Sequence, residues 1–467
     1  MCSSDLALFN EAFKQDPLTA LRLAFYTRNP RGAGLKERLV GRALFRAIAT
    51  NYPDVLVHNL HLIPEFGRWD DLFDLRGTLA FNEAMLLYKF ALQEGDRDDK
   101  ANASKWAPRE KSAKSEDARI LRSVLGLTQK GYRQLLARQT HVVETLMCQN
   151  RWSEIVYGEL ASQSLLKYNA AFYRHDGERF QAWIDSVRRD VPLAMSAPVT
   201  RGTIHVETLQ PYQIIKRVED QGGSSDALEA MWENLPNYLK ENSSAIVVAD
   251  VSGSMNHWSD SGQLPNGLTP MHFSVSLAIY AAERLRGPFQ GKFITFSGKP
   301  TLQTVRGADL KEKLDNLVRA DWAMNTNLRA TFDLLLNTAR EHNVPEEDMP
   351  DSIVIISDMQ FDGGQYSYRR SGICLTNASL NDADWIRTQY QAAGYNVPKV
   401  IWWRINASYG LNFPIKMDHI GMATVSGASA SAFKTIFSAE LTPEAVVDDA
   451  VNSGDYDRVT LPPHFTF

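Results

Sequence analysis

Near residue 241 the chain changes texture, and that change limits its fold more than any other feature. Before it, apolar residues recur at three- and four-residue spacing between residues suited to starting and stopping helices. After it, short β-branched runs alternate with helical segments, the pattern of a parallel sheet with crossover helices. Two domains are expected, a helical one over 1–240 and an α/β one over 241–467. A length of 467 residues accommodates both, and 44% apolar with 22% charged residues is the balance of a chain that can bury large cores.

In the first part, Leu35, Leu39, Val40, Ala43, Leu44, Ala47 and Ile48 form one apolar helical stripe, with Arg38, Arg42 and Arg46 forming a basic stripe beside it. Asp16 before Pro17 reads as an N-cap, Ser115 precedes an acidic first turn, and Thr128 opens a segment that predicts one long helix to about Met147. Further helices are predicted over 53–61, 79–94, 162–174, 177–189, 210–219 and 225–240. The polar stretch Glu94 to Lys114 predicts an exposed loop. No fixed repeat period is visible, so a regular solenoid does not follow from the sequence.

In the second part, strands are predicted at 244–249, 292–297, 301–305, 352–357, 400–404 and 422–426. Helices are predicted at 271–285, 309–318, 327–340, 382–393, 429–437 and 442–451. A doubly wound sheet of this kind places its site in the loops at the C-terminal strand ends. Three such loops carry oxygen ligands: Asp250, Ser252 and Ser254 after the first strand, Thr326 before a helix, and Asp358 after another strand. Two carboxylates and three hydroxyls, with no soft donor, suit one divalent cation, Mg²⁺ or Mn²⁺, and leave room for a further oxygen from a partner.

Asp-x-Ser-x-Ser after a buried strand, followed by a downstream Thr and then an Asp, resembles the metal-ion-dependent adhesion site of von Willebrand factor A domains. The helical part resembles an uncharacterised family of plant, viral and bacterial proteins through several stretches. These are Arg38 to Arg46 with Leu44-Phe45-Arg46, Asn59-Leu60, Ile63-Pro64-Glu65-Phe66-Gly67-Arg68-Trp69-Asp70-Asp71-Leu72, Lys105-Trp106-Ala107-Pro108, Leu125-Gly126-Leu127-Thr128, Met147-Cys148, Trp152 and Phe172 to Asp176. That family is similar to the TROVE-module proteins, which include the Ro ribonucleoprotein autoantigen. Leu209 to Ile215 resembles their approach to the A-type domain. The resemblance implies a HEAT-like helical-repeat array, closed into a ring by a Rossmann-like A domain, in a monomer. It also implies binding of small structured or misfolded RNA.

On that reading Arg38, Arg42, Arg46, Lys105, Arg109, Lys111, Lys114, Arg119 and Arg122 are the candidate phosphate contacts. Trp69 and Trp106 are aromatic candidates for base stacking, set against the commoner role of Trp in a core. Asp70 reads as a helix cap and Arg68 as the partner of a neighbouring carboxylate. His175 lacks an associated nucleophile, Cys2, Cys148 and Cys374 have no metal or redox spacing, and no phosphate loop is present, so the protein is not expected to be an enzyme. The net charge of -5 comes from the second half, with 18 Lys and Arg against 25 Asp and Glu over 241–467. The helical half is close to neutral, at 32 against 30 over 1–240. Global charge therefore confines RNA binding to local patches rather than excluding it. Without a secretory leader or a membrane-length apolar run, a cytoplasmic location is expected. The alternative function is metal-dependent recruitment of an acidic protein partner, without RNA.

Overall fold

The computed structural model describes residues 3–31, 34–140, 142–188, 202–239, 245–250, 267–285, 289–296, 300–318, 328–357, 377–405, 422–426, 447–448, 450–452 and 454–465, together with 255 and 436. The fold is mixed α/β and mostly helical, with two compact units: Met1–Leu160 with Thr442–Phe467, and Ala161–Leu441. The change of texture near 241 falls just before the first strand. Compactness divides the chain elsewhere, grouping 161–240 with the sheet and 442–467 with the N-terminal helices. No described helix is long and apolar enough to cross a membrane.

In the first unit, the helices Pro17–Arg28, Arg38–Asn51, Pro53–His58 and Phe81–Gln93 surround a core that includes Leu21, Phe25, Phe45, Ile48, Leu56 and Tyr88. Helix starts follow local chemistry. Asp16 accepts the Thr19 N–H at 3.1 Å ahead of Pro17, and Thr128 Oγ1 accepts the Gly131 N–H at 3.1 Å. The C-terminal segment completes this core. Tyr456 and Val459 are buried in it, with the Tyr456 ring 5.2 Å from that of Phe66. Asn59 clamps the segment in both directions, donating from Nδ2 to the Thr460 carbonyl at 2.7 Å and accepting the Thr460 N–H at 3.1 Å.

Two expectations need correction here. The predicted loop over Glu94 to Lys114 contains the helix Arg97–Trp106, started by Asp96, which accepts the N–H groups of Asp98 and Asp99. Its polar composition hid a small buried face at Ala103 and Ser104, where the Tyr88 hydroxyl donates to the Ala103 carbonyl at 3.0 Å. The single helix predicted from Thr128 to Met147 is two, Gln129–Gln139 and Val143–Cys148. The extended backbone at Thr140 and Val142 separates them, in a β-branched run that disfavours helix. The two helices predicted over 162–189 are separated as expected: Ser162–Val187 loses helical geometry at Asp176 (φ -149°, ψ 41°).

The second unit carries strands β1 (Ala245–Asp250), β2 (Lys292–Phe296), β3 (Leu302–Thr304), β4 (Ser352–Ser357), β5 (Lys399–Arg404) and β6 (Met422–Ser426) in the order β3-β2-β1-β4-β5-β6. Every pairing is parallel except β2 with β3. Only residues 297–301 separate those two strands, too few for a parallel crossover, so they pair antiparallel. β1 and β4 are buried throughout and entirely apolar until their last residues, Asp250 and Ser357, and the first of β4, Ser352. The helices Pro270–Arg284, Leu310–Val318, Leu328–Glu341 and Asn377–Ala392 lie between strands in sequence, the first three within a residue of the predicted bounds and the last starting five residues before its predicted 382.

Candidate functional site

The strand order reverses between β1 and β4, the place where an open α/β sheet leaves a crevice at its C-terminal edge. Asp250 is the last residue of β1 and Ser357 the last of β4, and both are fully buried. The Ser357 hydroxyl donates to Asp250 Oδ2 at 2.5 Å, fixing the carboxylate at the reversal. A carboxylate held there by a neutral hydroxyl is suited to a hard divalent cation. Of the other predicted ligands, Ser252, Ser254, Thr326 and Asp358 lie outside the described residues. Among the described residues no group of three or more His, Cys, Asp or Glu side chains gathers around a metal-sized space. Ser357 was not singled out from the sequence, although its place just before Asp358, at the end of an apolar strand, was a usable signal.

The predicted basic positions meet a different environment. On the helix Arg38–Asn51, Leu39 is 80% exposed while the Arg42 side chain is only 12% exposed, so of the basic stripe Arg42 is turned inward, between the more exposed Arg38 and Arg46. It faces the 3₁₀ segment Trp69–Leu75. Asp70 Oδ2 accepts from Arg38 Nη2 at 2.8 Å and Lys114 Nζ at 2.8 Å, and lies 3.2 Å from Arg42 Nη2. Asp71 accepts from Arg28 Nε at 2.7 Å and Arg42 Nε at 2.6 Å, and also accepts the Arg68 N–H at 2.9 Å. Thus Asp71, not Asp70, supplies the cap, and both carboxylates gather cations. Arg42 Nη1 also reaches Asp74 at 2.8 Å.

Two glycines make the close approach of Arg28 and Asp71 possible. A Cβ on Gly41 would lie 2.6 Å from Arg28 Cβ, and one on Gly67 would collide with Asp71 Oδ2. Burial by itself would push the Asp70 carboxyl upward, but Lys114, Arg42 and Arg38 outweigh it and hold its pKa below the usual value. Burial likewise disfavours charge on Arg42, and Asp71, Asp74 and Asp70 reverse the effect.

The remaining candidates divide into engaged and exposed groups. Arg46 Nη1 donates to the carbonyls of Asp74 and Arg76, both at 2.7 Å. Arg109 Nη1 donates to the carbonyls of Ser104 and Ala107, and Arg122 pairs with Glu110 at 3.3 Å. Lys105, Lys111 and Arg119 are exposed. Trp69 is part of the core, whereas Trp106 is half-buried, with the Arg68 guanidinium 4.3 Å and the Lys105 ammonium 5.7 Å from its ring centre.

Two family models match adjacent stretches of the chain. Residues 99–245 match one described as a domain of unknown function, DUF2828, and residues 244–459 match a second domain of unknown function, DUF7788. They overlap at residues 244–245, where β1 begins. An uncharacterized protein, L728, of Acanthamoeba polyphaga mimivirus is 25% identical over 481 residues, covering 93% of this chain and 79% of that protein.

Proposed function

We propose that the protein is a non-enzymatic, Ro-like RNA-binding protein. In this reading a HEAT-like helical array binds small structured or misfolded RNA, and a von Willebrand A-type domain over 241–467 holds one Mg²⁺ or Mn²⁺. Asp250, Ser252, Ser254, Thr326 and Asp358 are its ligands, with a further oxygen donor from a partner completing the shell. The observation that carries the proposal is the buried Asp250 carboxylate, fixed by Ser357 at the strand-order reversal of a six-stranded sheet. The exposed cations Lys105, Lys111 and Arg119 support the RNA reading, together with the partly exposed Arg38 and Lys114.

The test has two arms. Mg²⁺ or Mn²⁺ should raise the melting temperature of the full chain, and Asp250→Ala should abolish that rise; a rise unchanged in the variant sinks the metal site. Purified protein should shift a labelled structured RNA at low salt and release it as salt increases. The absence of any shift at low salt ends the RNA reading. A second reading, metal-dependent recruitment of an acidic protein partner, is favoured by the engagement of Arg42 with three carboxylates inside the protein. Retention of a carboxylate-bearing partner that depends on Mg²⁺ but not on RNA would support it.

A further inference from the structure

The charges around Asp70 do not balance. Five cations, Arg28, Arg38, Arg42, Arg68 and Lys114, meet three carboxylates, Asp70, Asp71 and Asp74. Three of the cations are tied to Asp70 and Asp71 by short contacts, and Lys114 shares its Asp70 oxygen with Arg38. Arg68 is different. Its backbone N–H is fixed by Asp71 and its guanidinium lies over the ring of Trp106, yet among the described residues that guanidinium makes no ion pair. Burial disfavours its charge, and Arg38 and Arg28 repel it more than Asp70 and Asp71 attract it. The interior of the cluster keeps more unused donors than acceptors: Arg28 Nη2, Arg38 Nε and Arg42 Nη2 are buried without a hydrogen-bond partner, against the one acceptor Asp70 Oδ1.

A guanidinium held by an aromatic face, and repelled by neighbouring cations more than the nearby carboxylates attract it, is stabilised by a further anion. Arg38 and Lys114 open this cluster to solvent, their side chains being 40% and 43% exposed. From these observations we propose that Arg68, Arg38 and Lys114, backed by Trp106, form a binding site for a phosphate monoester. A planar guanidinium fork and two further cations match the three terminal oxygens of such a group, which a carboxylate with two oxygens does not use. The group is either free phosphate or the terminal phosphate of an RNA strand. The site adds Arg68 and Trp106 to the cationic surface on which the RNA reading rests, but it does not require that reading to hold.

Full-length protein is titrated calorimetrically with inorganic phosphate, and then with a single-stranded RNA bearing either a 5′-phosphate or a 5′-hydroxyl. Phosphate is expected to bind, and Arg68→Gln to weaken it about tenfold, the loss of one charge-assisted contact. Lys114→Gln, at a more exposed side chain, should weaken it about threefold and serves as the deciding variant if Arg68→Gln does not fold. Phosphate binding that is absent, or unchanged in folded Arg68→Gln and Lys114→Gln, overturns the site. Preference for the 5′-phosphate RNA, lost in these variants, assigns the site to an RNA end. Binding of phosphate but of neither RNA keeps the site and assigns it to free phosphate. Equal binding of both RNAs with no phosphate binding overturns the site while the RNA reading stands.

Discussion

In the helical unit the buried carboxylates Asp70 and Asp71 are met by guanidinium and ammonium groups, whereas in the sheet unit Asp250 and Glu229 take hydrogen bonds from neutral donors. Asp250 accepts from the Ser357 hydroxyl, and Glu229 from the Ser224 hydroxyl and the Leu310 N–H. Similar burial has opposite consequences. Cations hold the Asp70 pKa below its ordinary value, while burial raises that of Glu229 against the pull of its hydrogen bonds and of the Lys313 ammonium. A carboxylate already neutralised by its own chain serves architecture. One that accepts from a serine hydroxyl at a strand-order reversal, as Asp250 does, sits where the fold places a site.

The largest expected effect concerns where the helical unit ends. Deleting residues 452–467 removes the buried Tyr456 and Val459, and at about 1.5–3 kcal/mol for each buried side chain the loss should be about 3–6 kcal/mol. Hydrogen exchange would localise it: amides of Pro17–Arg28 and Pro53–His58 should lose protection while those of β1 and β4 keep theirs. The opposite pattern would reassign the segment to the sheet unit.

Much of the sheet unit was legible because its signals are local. Apolar β-branched runs located β1 and β4, and the polar residue closing β1 stood out as a candidate ligand. The antiparallel β3 was missed as such, although the short spacing from β2 already required it. The helical unit was less legible because its decisive contacts are distant in sequence. Arg28 with Asp71, Lys114 with Asp70, and Asn59 with Thr460 span 43, 44 and 401 residues. Periodicity identified Arg38, Arg42 and Arg46 as one stripe but gave no means of knowing that Trp69–Leu75 would present three carboxylates to it. Leu39 shows the same limit: it fits the apolar stripe and is exposed all the same.

A smaller effect tests the contrast directly. Asp71→Asn leaves Arg28 charged and buried against a neutral partner and should cost about 3–5 kcal/mol in urea unfolding. Asp250→Asn, in metal-free solution, keeps an acceptor for the Ser357 hydroxyl, so it should cost about 1 kcal/mol or less. A larger loss at Asp250 than at Asp71 would mean that the sheet-unit carboxylate is the structural one.

The smallest effect is a pair of opposite pH slopes. Asp70 has a folded-state pKa below its ordinary 3.8, so its contribution to stability is present above that pH and is lost as pH falls through the depressed value. Glu229 has a folded-state pKa above its ordinary 4.5, so its ionisation opposes folding, and stability falls as pH rises from 4.5 through the raised value. Asp74, also raised by burial, adds to the second slope from within the cationic cluster. Urea midpoints measured between about pH 3 and pH 7 should therefore respond differently to two variants. Asp70→Asn should reduce the gain in stability on leaving the acid end, and Glu229→Gln should reduce the decline above pH 4.5. Slopes of the same sign for both residues would show that the cations around Asp70 do not compensate its burial, and the distinction between the two units would fail.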